Sequence, residues 1–263
     1  MRSGFISITA LLLVSVLSPF AYADPVTLPS GAKNLKGTIH EGGEAWATAK
    51  LGIAVESNFI DEIELSDYQG KIEGNINTIK VIYSVAERVD LYTDFGVASG
   101  LDYTAMIGGS NVTFNRSDEF AWGAGVAILL YEDPSGLAIN TDLKYRAVQT
   151  GDYDSVVVDG TSYTRSQLTA EKDADFEQWQ LALGLSYKFS SLTPYAGIKF
   201  VGGDYSASAT AGGATYNLGS TDMDSRAGAF AGVSIIPTDR LAIDLQGRFA
   251  DEDAVSASLT FMF

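Results

Sequence analysis

The chain has 263 residues, a formal charge of −16, a single histidine and no cysteine. The length suits one domain, the missing cysteine removes disulfides, thiolate nucleophiles and cysteine-based metal sites, and the acidic balance argues against nucleic acid as a partner. Hydropathy is near neutral while glycine and aromatic residues are abundant, a balance found in soluble domains and in β-barrels, whose alternation hides their membrane character from averages.

Arg2 is followed by an apolar run from Ile6 to Leu17 and by the small-x-small site Ala21-Tyr22-Ala23. This reads as a signal peptide over 1–23, cleaved before Asp24; the run is too short to anchor. Losing Arg2 takes the charge to about −17. Asp24 to Gly43 carries Pro25, Pro29, Gly31, Gly37, Gly42 and Gly43 without a sustained period, and is expected to be an irregular periplasmic leader (24–43). His40 lies in it. No other stretch approaches eighteen consecutive apolar residues, so no helical span is expected.

From Glu44 the period becomes two, and 44–263 is expected to form one barrel. The first strand puts Leu51, Ile53 and Val55 on one face and Lys50, Gly52, Ala54 and Glu56 on the other. The second, about Ile72 to Val85, and the third, Val89 to Ser99, are joined by Ala86-Glu87-Arg88. The third places Asp90, Tyr92 and Asp94 inward. A polar loop is expected to reach Asp118. The fourth strand, Glu119 to Tyr131, has a small inner face (Ala121, Gly123, Gly125, Ala127). The fifth, Leu137 to Arg146, turns Asp142, Lys144 and Arg146 inward, and the longest loop follows, to about Ala174. The sixth, Trp179 to Phe189, alternates most clearly. The seventh, about Thr193 to Val201, leads into a Gly/Ala/Ser loop from Gly202 to Thr221. The eighth spans Asp222 to Ile236, the ninth Arg240 to Phe249, and the acidic tip Asp251-Glu252-Asp253 precedes a C-terminal strand ending at Phe263.

The fold class is therefore all-β: a closed antiparallel transmembrane barrel of about ten strands, with eight as the alternative count. Short turns alternate with long loops, as in outer-membrane barrels, and a soluble sandwich has no reason to sort its loops by parity. An unpaired edge in lipid would cost several kcal/mol per orphaned backbone group, hence closure. Outward aromatics gather in two bands, Tyr83, Tyr131, Tyr187 and Phe261 toward the short turns, Phe95, Trp122, Tyr145 and Trp179 toward the loops.

The signal peptide, the short turn Ala86-Glu87-Arg88-Val89-Asp90, the Tyr195-Ala196-Gly197 strand and the Leu259-Thr260-Phe261-Met262-Phe263 end together resemble the small bacterial outer-membrane β-barrels of the OmpA, OmpX and OmpW type. The resemblance covers nearly the whole mature chain and carries no catalytic residue across. It implies a Gram-negative cell-envelope location in the outer membrane, lipid and the barrel-assembly machinery as partners, a monomer, and an assembly signal in Val255, Leu259, Phe261 and Phe263. OmpA itself continues into a peptidoglycan-binding domain, whereas this chain is expected to consist of the barrel alone.

Known outer-membrane enzymes use a histidine base, and the only histidine precedes the first strand, so no catalytic residue, metal ligand or cofactor is assigned. The lumen is expected to hold a charge network of Lys50, Lys80, Asp90, Asp94, Asp142, Lys144, Arg146, Lys199, Arg226, Asp244 and Arg248, with Glu56, Glu73, Glu177 and Lys188 also inward. In a narrow barrel such charges can pair and close the lumen, while inward Gly, Ala and Ser leave room for water. The expected role is structural or surface-interacting. A small-solute porin is the alternative, and an enzyme with a rim site the third. The acidic loops, including 251–253, suit small solutes or divalent cations as oxygen donors.

Overall fold

The computed structural model describes residues 25–37, 49–65, 70–149, 152–169, 171–222 and 227–263. The expected signal peptide, His40, residues 44–48 and Arg226 lie outside these. Fourteen strands run through the described residues: β1 (Ala49–Leu65), β2 (Gly70–Val85), β3 (Val89–Ile107), β4 (Ser110–Arg116), β5 (Glu119–Glu132), β6 (Leu137–Val148), β7 (Tyr153–Val158), β8 (Thr161–Thr164), β9 (Glu171–Tyr187), β10 (Leu192–Ala211), β11 (Ala214–Asp222), β12 (Ala227–Thr238), β13 (Leu241–Phe249) and β14 (Asp253–Met262).

Ten of them close a ring. Antiparallel pairing runs β1, β2, β3, β5, β6, β9, β10, β12, β13, β14 and returns from β14 to β1. The count is therefore ten, and eight is set aside. The seam between the first and last strands holds register from Gly52↔Met262 to Ile60↔Ala254. Every wall strand thus has a partner on both sides, which is what a backbone surrounded by lipid requires. Side chains on the outer face are apolar and exposed, among them Ile53, Val55, Ile79, Leu91, Leu143, Leu183 and Ile198. Such a band on a soluble protein would be a large aggregation surface; on a closed barrel it is the lipid-facing belt of an outer-membrane protein. Aromatic pairs mark its borders: Trp122 with Tyr145 at 5.6 Å toward the loops, Tyr187 with Phe189 at 4.6 Å and Phe261 with Phe263 at 5.3 Å toward the short turns.

The short turns are built from local chemistry. Ala86 and Glu87 both take positive φ (54° and 58°), matching the twist of a two-residue hairpin. Asp133 Oδ1 accepts from the Ser135 amide and hydroxyl and from the Leu137 amide. The Ser135 hydroxyl, with those amides, holds the Asp133 carboxyl below its usual range.

Most of what the sequence assigns to long loops is strand. β3 and β10 continue well past the aromatic band, and β4, β7, β8 and β11 add to them, β4 beside β3, β7 beside β4, β8 beside β7 and β11 beside β10. The result is an extracellular β-tower above the barrel. Its interior is apolar: Ile63, Ile72, Leu101, Tyr103, Val112, Phe114, Tyr153, Val156, Tyr205 and Leu218 belong to one buried cluster, with Tyr103 and Tyr205 stacked at 4.2 Å. The switch from charged lumen to apolar tower is made by bulges. Along β3 the inward residues are Asp90, Asp94 and Ala98, then Leu101 and Tyr103, the parity changing at Gly100 with φ 58°. Register shifts between Ile60 and Ile63 on β1, and between Ser206 and Ser208 on β10, accompany the same change.

Candidate functional site

Residues 25–37, expected as a leader outside the barrel, instead run inside it. The segment is irregular, as its prolines and glycines require, but its backbone donors find acceptors on the lumen wall. Val26 N–H donates to Gln246 Oε1 at 2.9 Å, and Gln246 Nε2 donates back to Val26 O at 3.1 Å. Thr27 N–H donates to Asp142 at 3.0 Å, and the Ser30 amide and hydroxyl both donate to Asp90 Oδ2, at 2.7 and 2.6 Å. Lys33 pairs with Asp244 at 3.0 Å. Its apolar residues use small niches: Val26 and Leu28 against Ala182, Tyr195 and Phe230, Ala32 against Leu129 and Ala138, Leu35 against Ala242 and Met262. Gly31 lies so close to the Glu87 carbonyl that a methyl group there would overlap it. The chain leaves at the short-turn end, where Lys36 N–H donates to Asp239 O at 2.5 Å and Gly37 abuts the Phe263 carbonyl. A buried backbone needs every donor and acceptor matched; a lumen lined by carboxylates and amides supplies them.

Above the segment lies a charge belt. Lys80 donates to Glu56 at 2.8 Å, Lys144 approaches Asp94 at 3.3 Å and Glu56 at 3.9 Å, and Arg146 reaches Asp94 at 3.2 Å and Glu56 at 3.7 Å. All five side chains are at most 4% exposed. Tyr92 joins the belt to the segment: Lys80 sits 4.9 Å over its ring, and its hydroxyl donates to Asp142 at 2.6 Å. A second group closes the other side. Lys199 pairs with Asp251 at 2.8 Å and with Glu252, and Arg248 reaches Glu252 at 3.2 Å, Ser256 at 3.1 Å and Asn58 at 2.5 Å. The acidic tip between β13 and β14, one of the loops whose carboxylates suit divalent cations by sequence, folds into the lumen, where Asp251 and Glu252 pair with Lys199 and Arg248. Lys50, at the short-turn end, pairs with Glu87 at 2.8 Å and donates to the Leu35 carbonyl at 2.7 Å.

Of the residues named from the sequence, Lys50, Lys80, Asp90, Asp94, Asp142, Lys144, Arg146, Lys199 and Arg248 are buried inside, and Asp244 is half-buried there. Glu177 sits exposed on the outer face between inward Phe176 and Gln178, and Glu73 sits with Lys71 beside a register shift near the outer end of β2. Lys188 stays at the short-turn end with Glu132, partly exposed. Val255, Leu259 and Phe261 lie on the outward face of β14, and the amide of Phe263 donates to Leu51 O at 2.8 Å across the seam.

The inward glycines do not leave water-filled space. A methyl group at Gly125 would overlap the Tyr92 ring, at Gly232 the Tyr195 ring, at Gly197 the Phe230 ring, and at Gly228 the Asp251 carboxylate. Small residues on one strand receive large ones from a neighbour. The cavities along the segment include one of about 30 Å³ among Val26, Thr27, Glu56, Lys80 and Asp244, near the space of a single water, and one of about 330 Å³ at the short-turn mouth beside Gly31, Asn34 and Lys50. At the top, Arg116 and Glu119 form a buried pair under the apolar tower. Tyr92, Tyr195, Phe230 and Gln246 were not singled out as lumen-blocking residues by sequence reasoning, although each lies beside an inward glycine or the segment. Among the described residues no group of three or more His, Asp or Glu side chains is arranged to hold a metal ion.

No family model matches the sequence, and no curated protein is significantly similar to it. Solved structures of similar shape include the outer membrane protease OmpT from Escherichia coli, at 10% identity and a TM-score of 0.43, over 82% of this chain and 96% of that one. The translocator domain of the autotransporter NalP from Neisseria meningitidis has 11% identity and a TM-score of 0.46, over 86% and 90%. An outer membrane channel from Pseudomonas putida has 12% identity and a TM-score of 0.42, over 85% and 100%. Likeness at this level carries no argument about activity.

Proposed function

We propose that the chain is a sealed, non-catalytic outer-membrane barrel that serves as a rigid base for its extracellular β-tower, with a structural or surface-interaction role. The observation that carries this reading is the stacking of three barriers along one axis: the segment 25–37, the charge belt around Glu56 and Asp94, and the apolar core of the tower. A solute would have to displace all three, which disfavours a porin. Rim carboxylates offer little for catalysis, since Asp152 is paired with Arg165 and Asp154 accepts from Ser117. On this reading the barrel is a monomer, lipid surrounds its belt, and the C-terminal residues Val255, Leu259, Phe261 and Phe263 address it to the assembly machinery. Swelling of proteoliposomes in isotonic small sugars tests the seal. No swelling above protein-free vesicles is expected; swelling comparable to a porin would overturn the reading.

A further inference from the structure

The attachment of residues 25–37 has an unusual character for a packed interior. The wall grips the segment mainly through its backbone: Gln246 takes both polar groups of Val26, Asp142 takes the Thr27 amide and Asp90 the Ser30 amide. Polar side-chain recognition falls on Thr27, whose Oγ1 accepts from Lys80 Nζ at 3.1 Å, on the Ser30 hydroxyl, which donates to Asp90, and on the Lys33 ammonium, paired with Asp244. Cavities flank the segment on both sides, at Val26–Thr27 and at Gly31–Gly37. The wall also carries more hydrogen-bonding capacity than the segment uses: Asp90 Oδ1, Ser84 Oγ and Thr193 Oγ1 are buried at the short-turn half of the lumen with no partner among the described residues. Side chains that evolve as a fixed core close such gaps. A groove that satisfies a segment's main-chain groups and offers niches to its side chains is how proteins bind peptides.

We propose that the short-turn half of the lumen is a peptide-binding site, filled in this chain by its own residues 25–35. The ligand class is a peptide entering from the periplasmic side that closes a turn at the positions of Ser30–Asn34, with a hydroxyl residue three positions before a cation, as in Ser30 and Lys33. The carboxylates of Asp90, Asp142 and Asp244 make the site favour cationic over acidic peptides. Tethering gives the chain's own segment a high effective concentration, so a free peptide competes only when the tethered copy is weakened. The site is independent of the tower, and its occupancy leaves the upper seal in place.

The test uses the full chain. Thr27→Pro with Ser30→Pro removes two amide donors and the two hydroxyls from the tethered segment while leaving the wall untouched, and Lys33→Glu, which sets a carboxylate against Asp244, is a second way to loosen it. A fluorescent peptide with the sequence of residues 25–36 is titrated against each refolded variant, with intact barrels verified by heat-modifiable gel migration. Saturable binding is expected to both, at least about tenfold tighter than to the unaltered chain, since the loosened segment gives up hydrogen bonds to charged groups that the free peptide can take. A peptide carrying Ala for Ser30 and Glu for Lys33 is expected to bind at least about tenfold more weakly, as is the native peptide to a chain that also carries Asp90→Asn and Asp244→Asn. Absence of saturable binding to folded loosened variants, or binding indifferent to the peptide's Ser and Lys and to Asp90 and Asp244, would overturn the proposal.

Discussion

Lys199→Met probes the buried latch most sharply. Lys199 is fully buried, 2.8 Å from Asp251 and also paired with Glu252, and Met keeps most of its volume. Removing one member of a buried ion pair costs about 3–5 kcal/mol, because the remaining charge stays desolvated. Arg248 still faces Glu252 at 3.2 Å, but Asp251 is stranded, so the expected loss lies at the lower end, about 3 kcal/mol. The assay is urea unfolding of the barrel in lipid vesicles followed by tryptophan fluorescence, with midpoints compared at constant slope. The triple variant Lys199→Met, Asp251→Asn, Glu252→Gln removes the stranded charges and is expected to recover most of the loss. Hydrogen exchange at residues 250–253 is expected to rise in the single variant and fall back in the triple. A Lys199→Met barrel within about 0.5 kcal/mol of the unaltered one, the range of ordinary surface substitutions, would refute the reasoning and return the acidic tip to solvent.

Three further outcomes follow from the same geometry. Gly232→Leu is expected to reduce refolding yield, because overpacking costs about 1–3 kcal/mol and the new side chain meets the Tyr195 ring; Tyr195→Ala in the same chain should restore part of the yield, as read by gel shift. Leu183→Arg, on the exposed outer face, should cost about 2–4 kcal/mol of folding into lipid, measured beside Leu183→Ala, and equal stabilities would invert the inside–outside assignment. Deleting Phe263 should lower the amount of barrel reaching the cell surface more than it lowers stability in vitro, since its ring is exposed; unchanged surface levels would count against an assembly signal at the C-terminus.

The wall of the barrel was legible because lipid imposes a strict rule: residues such as Leu181, Leu183 and Leu185 face hydrocarbon, while Gln178, Gln180 and Ser186 between and beside them face in. Above the lipid that rule lapses. Tower strands bury one face and expose polar residues on the other, and the bulges at Gly100 and near Ile60 break the alternation, so Asp102, Thr104 and Thr113 read as loop although they are paired in strands. The 25–37 segment was illegible for a different reason. It has no period of its own, and its conformation is set by wall residues far along the chain, 60 positions away for Ser30 and Asp90 and 220 for Val26 and Gln246. Alternation along the wall strands places Lys80, Asp94, Lys144 and Arg146 inside but misplaces Glu177, and it says nothing of Asp251, Glu252 and Lys33, which lie between strands or before them and enter the lumen through their partners.

Single-channel recording of the refolded full chain in a planar bilayer tests the sealed barrel most directly. The account expects no steady conductance above the bare membrane, and the same when residues 25–37 are deleted, because the tower core around Tyr103, Phe114 and Tyr205 still closes the axis. Stable, ohmic, porin-like steps from the unaltered chain would contradict it.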